Sequence, residues 1–198
     1  MKMNLPNKLT VLRMLLVPVF VVFMLLSTGN RAVGELRAAP DLRFLVFRYA
    51  AFVIFAGASL TDYFDGRIAR REGLVTNFGK FMDPLADKLL VCSALILLGA
   101  EGSMPVWAVL VIIWREFIIS GFRLVASDAG IVIAANMWGK LKTVSQMFLC
   151  ILLILPRLPV LVGSRVTACI LWAVVLLTLV SLVDYIRKNI HVLTEGGL

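Results

Sequence analysis

Histidine and cysteine are scarce, with one of the first and three of the second in 198 residues. Cys92, Cys150 and Cys169 lie inside apolar runs without metal-ligand spacing. That argues against a disulfide framework and a zinc site, and leaves them as packing residues. Charge is scarce too: Asp, Glu, Lys and Arg make up 16% of the chain against 61% hydrophobic residues, and the mean hydropathy is +0.96. There is too little polar surface to coat a soluble domain. Internal repeats and a separate polar domain are also missing, which predicts one integral membrane domain over residues 1–198. The first apolar run has no small-residue cleavage site after it, so it is expected to be a retained helix and not a signal peptide.

What the chain does have is about six apolar spans, at residues 11–28, 43–64, 85–100, 105–126, 139–156 and 164–186. The fold expected is an all-α integral membrane bundle of six transmembrane helices. "NLPNKLTVLRMLLVP" reads as an N-terminal interfacial helix with Pro6 in its first turn and Lys8 and Arg13 facing head groups, or more simply as a positively charged anchor. "TGNRAVGELRAAPDLR" reads as an exposed loop and "GAEGSMP" as a tight hairpin. The net charge of +8 is scattered between spans, which argues against nucleic acid and for anionic lipid or phosphate ligands. Lys2, Lys8, Arg67, Arg70, Arg71, Lys80, Lys140 and Lys142, among others, fall on one side, against Arg31, Arg37, Arg43, Arg157 and Arg165 on the other. This bias puts both termini in the cytoplasm. Arg48 and Arg115 fall inside spans, where a charge needs a partner.

Between the second and third spans, "TDYFDGRIARREGLVTNFGKFMDPLADKLL" holds four carboxylates. Asp62 and Asp65 are three apart and Asp83 and Asp87 four apart, so each pair shares one side of a helix. Pro84 fits if Asp83 begins its helix. Four ionised acids this close need protons or cations. A hard oxygen donor set points to Mg²⁺, Mn²⁺ or Ca²⁺. Two such ions can clamp a phosphoryl group, and the surrounding Arg67, Arg70, Arg71, Lys80 and Lys88 suit a polyphosphate. A site for cation transport remains open on these grounds.

Asp62, Asp65, Gly66, Ala69, Arg70, Gly79, Asp83 and Asp87 match, without departure, D-x2-D-G-x2-A-R-x8-G-x3-D-x3-D, so the stretch resembles the CDP-alcohol phosphotransferase family. The resemblance implies a six-helix membrane enzyme, usually a homodimer, that cleaves a CDP-linked pyrophosphate and releases CMP. By the same resemblance Asp62 and Asp83 bridge two Mg²⁺ ions (Mn²⁺ possible), Asp65 and Asp87 complete them, and Asp87 is the general base. Gly66 and Arg70 hold the CDP part, Ala69 supplies a small side chain near the nucleotide, and Thr76, Asn7 and Thr10 are further donor contacts.

The second half bears on the acceptor. "WREFIISGFR" places Arg115 and Arg123 eight residues apart, about 80 degrees around a helix, so both could line one pocket. "WGKLKTVSQM" adds Lys140 and Lys142, with Thr143 and Gln146 as secondary candidates. Such cations suit an anionic acceptor, although Arg115 could simply pair with Glu116. These segments resemble the bacterial branch of the family that uses CDP-diacylglycerol and sn-glycerol 3-phosphate in the inner membrane. Sister branches with cardiolipin-type or inositol-phosphate acceptors are the alternative. His191 reads as solvated and Asp184 and Tyr185 as an interfacial pair.

Overall fold

The computed structural model describes residues 5–29, 32–72, 77–128 and 137–195, and the side chains among them except 5–6, 62–81, 83, 84, 87, 127, 128 and 191–195. The described residues form eight helices: α1 (Leu5–Thr28), α2 (Val33–Ala38), α3 (Leu42–Glu72), α4 (Asn77–Ala100), α5 (Val106–Asp128), α6 (Met137–Ile154), α7 (Leu158–Val162) and α8 (Ser164–Glu195). Four stretches among them are long and apolar enough to cross a membrane, Asn7–Thr28, Leu42–Thr61, Met137–Ile154 and Ser164–Ile190, and Lys88–Ala100 is a shorter apolar helix. The chain is therefore a multi-pass membrane protein. It divides into two compact units, residues 1–103 with 150–161, and residues 104–149 with 162–198.

In the first unit α1 packs on α3 and α4. Phe20 meets Phe55 at 5.7 Å between ring centroids and Phe23 meets Phe47 at 5.9 Å, so α1 and α3 run antiparallel. Ala51, Ala58, Ala86 and Ala94 are fully buried. Small residues let membrane helices approach closely. α1 stops at Gly29, whose φ of 57° suits glycine and whose N–H bonds to the Leu25 carbonyl at 3.0 Å. α4 stops in a Schellman turn, with Ser103 N–H on Leu98 O at 2.9 Å and Gly102 N–H on Gly99 O at 3.1 Å, Gly102 having a φ of 77°. That turn fixes Glu101 at the helix end. α3 starts on Asp41, whose carboxylate accepts the Phe44 N–H at 2.8 Å as an N-cap.

Glu101 is the partner that Arg48 needs. The Arg48 side chain is fully buried and donates to both Glu101 carboxylate oxygens, at 2.7 and 2.5 Å, while its Nε donates to Ile154 O at 2.9 Å. Arg37 donates to Leu153 O at 2.5 Å and Arg43 to Leu26 O at 3.1 Å. Three guanidinium groups thus satisfy carbonyls at the C-terminal ends of α1 and α6, where the helix leaves acceptors unpaired and negative. Burial and then the neighbouring Arg48 pull the Arg37 pKa down from its ordinary value to about 10, with Glu101 opposing, so Arg37 stays charged at neutral pH.

Two sequence expectations change here. The loop after α1 contains α2, whose Val33 and Leu36 are buried against Phe44; the spacing of these apolar side chains, not loop polarity, decides its structure. The stretch expected as an interfacial helix leading into the first span forms the first turns of α1, which runs unbroken from Leu5 to Thr28; what changes is Arg13, which is buried instead of facing head groups. A cation on the packed side of a helix turns inward when neighbouring groups satisfy it, and Arg13 has such a contact.

In the second unit α5 and α8 pack together and run parallel. Trp107 meets Trp172 at 5.1 Å, Arg115 bonds Ser181 at 2.6 Å, and Phe122 meets Tyr185 edge-on at 6.2 Å. Tyr185 is buried in this seam, near the end of the candidate span.

Candidate functional site

The backbone sets the level of the acids. Thr10 on α1, Asp62 on α3 and Asp87 on α4 each stand fourteen residues along their helix from Met24, Arg48 and Glu101 respectively. Met24, Arg48 and Glu101 meet at one end of the unit. At about 1.5 Å per residue, the three other positions lie at a common level roughly 21 Å away. One end of the unit therefore carries the first turns of α1, the end of α3 and the beginning of α4. Asn7 there is half-buried and Thr10 buried, and both have contacts within the protein.

The side chains of Asp62, Asp65, Gly66, Ala69, Arg70, Asp83 and Asp87 lie outside the described residues, and Thr76 does so entirely. The helical backbone beneath the acids is described, and it corrects one expectation. α4 begins at Asn77, six residues before Asp83, so Pro84 sits inside the helix and not in its first turn. A proline there removes one rung of the hydrogen-bond ladder, which neighbouring helices in a membrane make tolerable. The four aspartate positions thus fall on two helices, α3 and α4, that pack against each other.

The cations expected in the acceptor pocket separate into two groups. Glu116 accepts from Arg115 Nη1 at 3.1 Å and from Lys142 Nζ, joining α5 to α6, while Arg115 Nη2 donates to Ser181 on α8. The side chains are 8% exposed for Arg115, 1% for Lys142 and 18% for Glu116, so two cations share one carboxylate in a nearly dry setting. Among these three described side chains there are two cations and one carboxylate. Gln146 is buried one turn beyond Lys142, and Thr143 is exposed, bonding to Gly139 O. Arg123 and Lys140 take no part in this set. Both are exposed, and Arg123 lies 6.0 Å from the centroid of the Tyr185 ring. The 80-degree offset between Arg115 and Arg123 is enough to turn one side chain inward and the other out.

The pairing of Arg115 with Glu116 that the sequence left open is present, while the sharing of that carboxylate with Lys142, the bond to Ser181 and the burial of Tyr185 were not foreseen. A serine and a tyrosine four residues apart on α8 would present one polar side within an apolar span, which was the available signal.

Residues 3–180 match the family described as CDP-alcohol phosphatidyltransferase. A Bacillus subtilis (strain 168) protein named CDP-diacylglycerol--glycerol-3-phosphate 3-phosphatidyltransferase is 46% identical over 94% of this chain and 95% of its own length. A Rickettsia typhi protein of the same name is 35% identical over 93% of this chain and 96% of its own. A Mycobacterium tuberculosis (strain H37Rv) protein named as a probable phosphatidylglycerophosphate synthase is 38% identical over 95% of this chain and 82% of its own. With the match extending over both units, the chain belongs to the CDP-alcohol phosphatidyltransferase family.

Proposed function

We propose that the protein transfers the phosphatidyl group of CDP-diacylglycerol to sn-glycerol 3-phosphate, forming phosphatidylglycerophosphate and CMP. The observation that carries this reading is the complete acid pattern on two packed helices of a chain that is 46% identical, over 94% of its length, to a glycerol-3-phosphate phosphatidyltransferase. The 1-hydroxyl of the acceptor attacks the phosphorus bearing diacylglycerol, the pyrophosphate P–O bond breaks, and CMP departs. Asp87 takes the hydroxyl proton as attack begins. Asp62, Asp65, Asp83 and Asp87 hold two Mg²⁺ ions, or Mn²⁺, whose chemistry is to offset charge on the pyrophosphate. Gly66, Ala69, Arg70, Thr76, Asn7 and Thr10 seat the donor. Arg115 and Lys142, fixed by Glu116, bind the acceptor phosphate, with Arg123 and Lys140 as outer cations that draw it in.

The reading extends to six crossings. α5 carries Arg115, Glu116 and Arg123, but it lies parallel to the candidate span α8 from Trp107 through Phe122, which supports its crossing beside it. The apolar part of α4 supports the remaining span. The first turns of α1 lie at the interface, where Lys8 is exposed. The Lys and Arg bias puts the termini and the acids in the cytoplasm of a bacterial cell, and the family resemblance extends to one catalytic domain acting as a homodimer.

Purified protein is given CDP-diacylglycerol and Mg²⁺ with glycerol 3-phosphate, inositol phosphate, serine or phosphatidylglycerol in turn, and CMP release is measured. Release with glycerol 3-phosphate is expected. Absence of CMP with every acceptor would sink the transferase reading, and release with a different acceptor alone would move the substrate assignment.

A further inference from the structure

Two polar groups are left over in the seam between α5 and α8. The Tyr185 hydroxyl and Arg115 Nε are both buried and have no hydrogen-bond partner among the described residues. Tyr185 as a whole is 3% exposed and Arg115 is 7% exposed. A buried hydroxyl without a partner is costly, and nearly all such groups in folded proteins are paired. Phenylalanine would fill the same space against Phe122 without that cost. The hydroxyl therefore calls for a partner from beyond the described residues, ordered water or a ligand.

The surroundings define that ligand. Ser181 lies one turn before Tyr185 on the same side of α8 and is already bonded to Arg115 Nη2 at 2.6 Å, so both leftover groups belong to one stretch of the seam. Arg115 Nε can only donate, and a phenol hydroxyl donates readily. Among the described residues, Arg115 and Lys142 both bond to Glu116, Arg123 lies by the Tyr185 ring, and the neighbouring Asp184 is paired with Lys188. Unused donors beside these cations select an anion rich in acceptor oxygens.

We propose that Tyr185 is a substrate-contact residue whose hydroxyl, beside Arg115 Nε, donates to a phosphate oxygen of the acceptor. This rests on the acceptor reading above and adds a neutral donor to its cations. A tyrosine at the end of an apolar span is then a specificity determinant for phosphorylated over neutral alcohols.

The test is Tyr185→Phe in the full-length enzyme, in detergent or nanodiscs, with KM measured for each substrate and thermal unfolding followed in parallel. Losing a hydrogen bond to a charged group should raise KM for glycerol 3-phosphate about 10-fold or more. KM for CDP-diacylglycerol should stay within about twofold, with the unfolding temperature unchanged or higher. An unchanged acceptor KM together with a higher unfolding temperature would mark the hydroxyl as merely unsatisfied and overturn the proposal. Equal effects on both substrates would overturn it too. Should the wild type release no CMP with glycerol 3-phosphate, the function reading fails separately. Stabilisation by inorganic phosphate then decides, a smaller effect in the variant supporting the anion contact and an equal effect refuting it.

Discussion

Glu101→Leu should destabilise the protein strongly while leaving its chemistry nearly intact. Arg48 is fully buried, the Glu101 side chain is 9% exposed, and the two make a two-pronged contact at 2.7 and 2.5 Å. Removing one partner of a buried pair costs about 3–5 kcal/mol, because the remaining charge is left uncompensated. Two features favour the lower part of that range. Ile154 O still accepts from Arg48 at 2.9 Å, and a cleft of about 410 Å³ lined by Met24, Thr28, Leu97 and Glu101 gives water an approach. About 3 kcal/mol corresponds to more than a hundredfold in the folding constant. The double variant Arg48→Met/Glu101→Leu removes both charges and should recover part of the loss. It strands the Ile154 carbonyl, while Leu153 O keeps its bond from Arg37, leaving a deficit of about 1–3 kcal/mol. Unfolding by SDS titration of detergent-solubilised protein measures all three. Below the unfolding range, CMP release by Glu101→Leu should stay within about twofold of wild type, since the acids lie roughly 21 Å along the helices. A cost under about 1 kcal/mol for the single variant, or a double variant no better than the single, would refute a buried, coupled pair.

Asp87→Asn should abolish CMP release while keeping much of the affinity for CDP-diacylglycerol, and near-normal turnover would remove Asp87 as the base. Chelation by EDTA should stop turnover, with Mg²⁺ or Mn²⁺ restoring it, whereas full activity after exhaustive chelation would rule out a metal role for the four aspartates. Glu116→Gln frees Arg115 and Lys142 from their shared carboxylate and should change KM for glycerol 3-phosphate about 10-fold with little change for the donor, and Glu116→Asp should restore part of it. If Glu116→Gln affects stability alone, its role is structural. Arg115→Ala should raise the acceptor KM more than the donor KM, and equal changes would take Arg115 out of the acceptor site.

Local chemistry and periodicity made much of this protein legible before any fold was known. A hydropathy of +0.96 requires a membrane, and the spacing of Asp62, Asp65, Asp83 and Asp87 depends only on the helical repeat, so both could be read from the chain. Pairings between residues distant in sequence could not. Arg48 announced that it needed a counter-charge, but Glu101 lies 53 residues later in a stretch that looks like a simple turn. Arg115 and Arg123 are equivalent as letters on one helix, yet only the packing of α5 against α8 buries the first and exposes the second. The same packing buries Tyr185 and leaves its hydroxyl without a partner among the described residues. The sequence by itself determined which chemical groups are available and how they repeat along each helix. Only the tertiary structure decided which of them lose water and which partners they meet, because desolvation and pairing depend on the neighbouring helix, which the local chain does not specify.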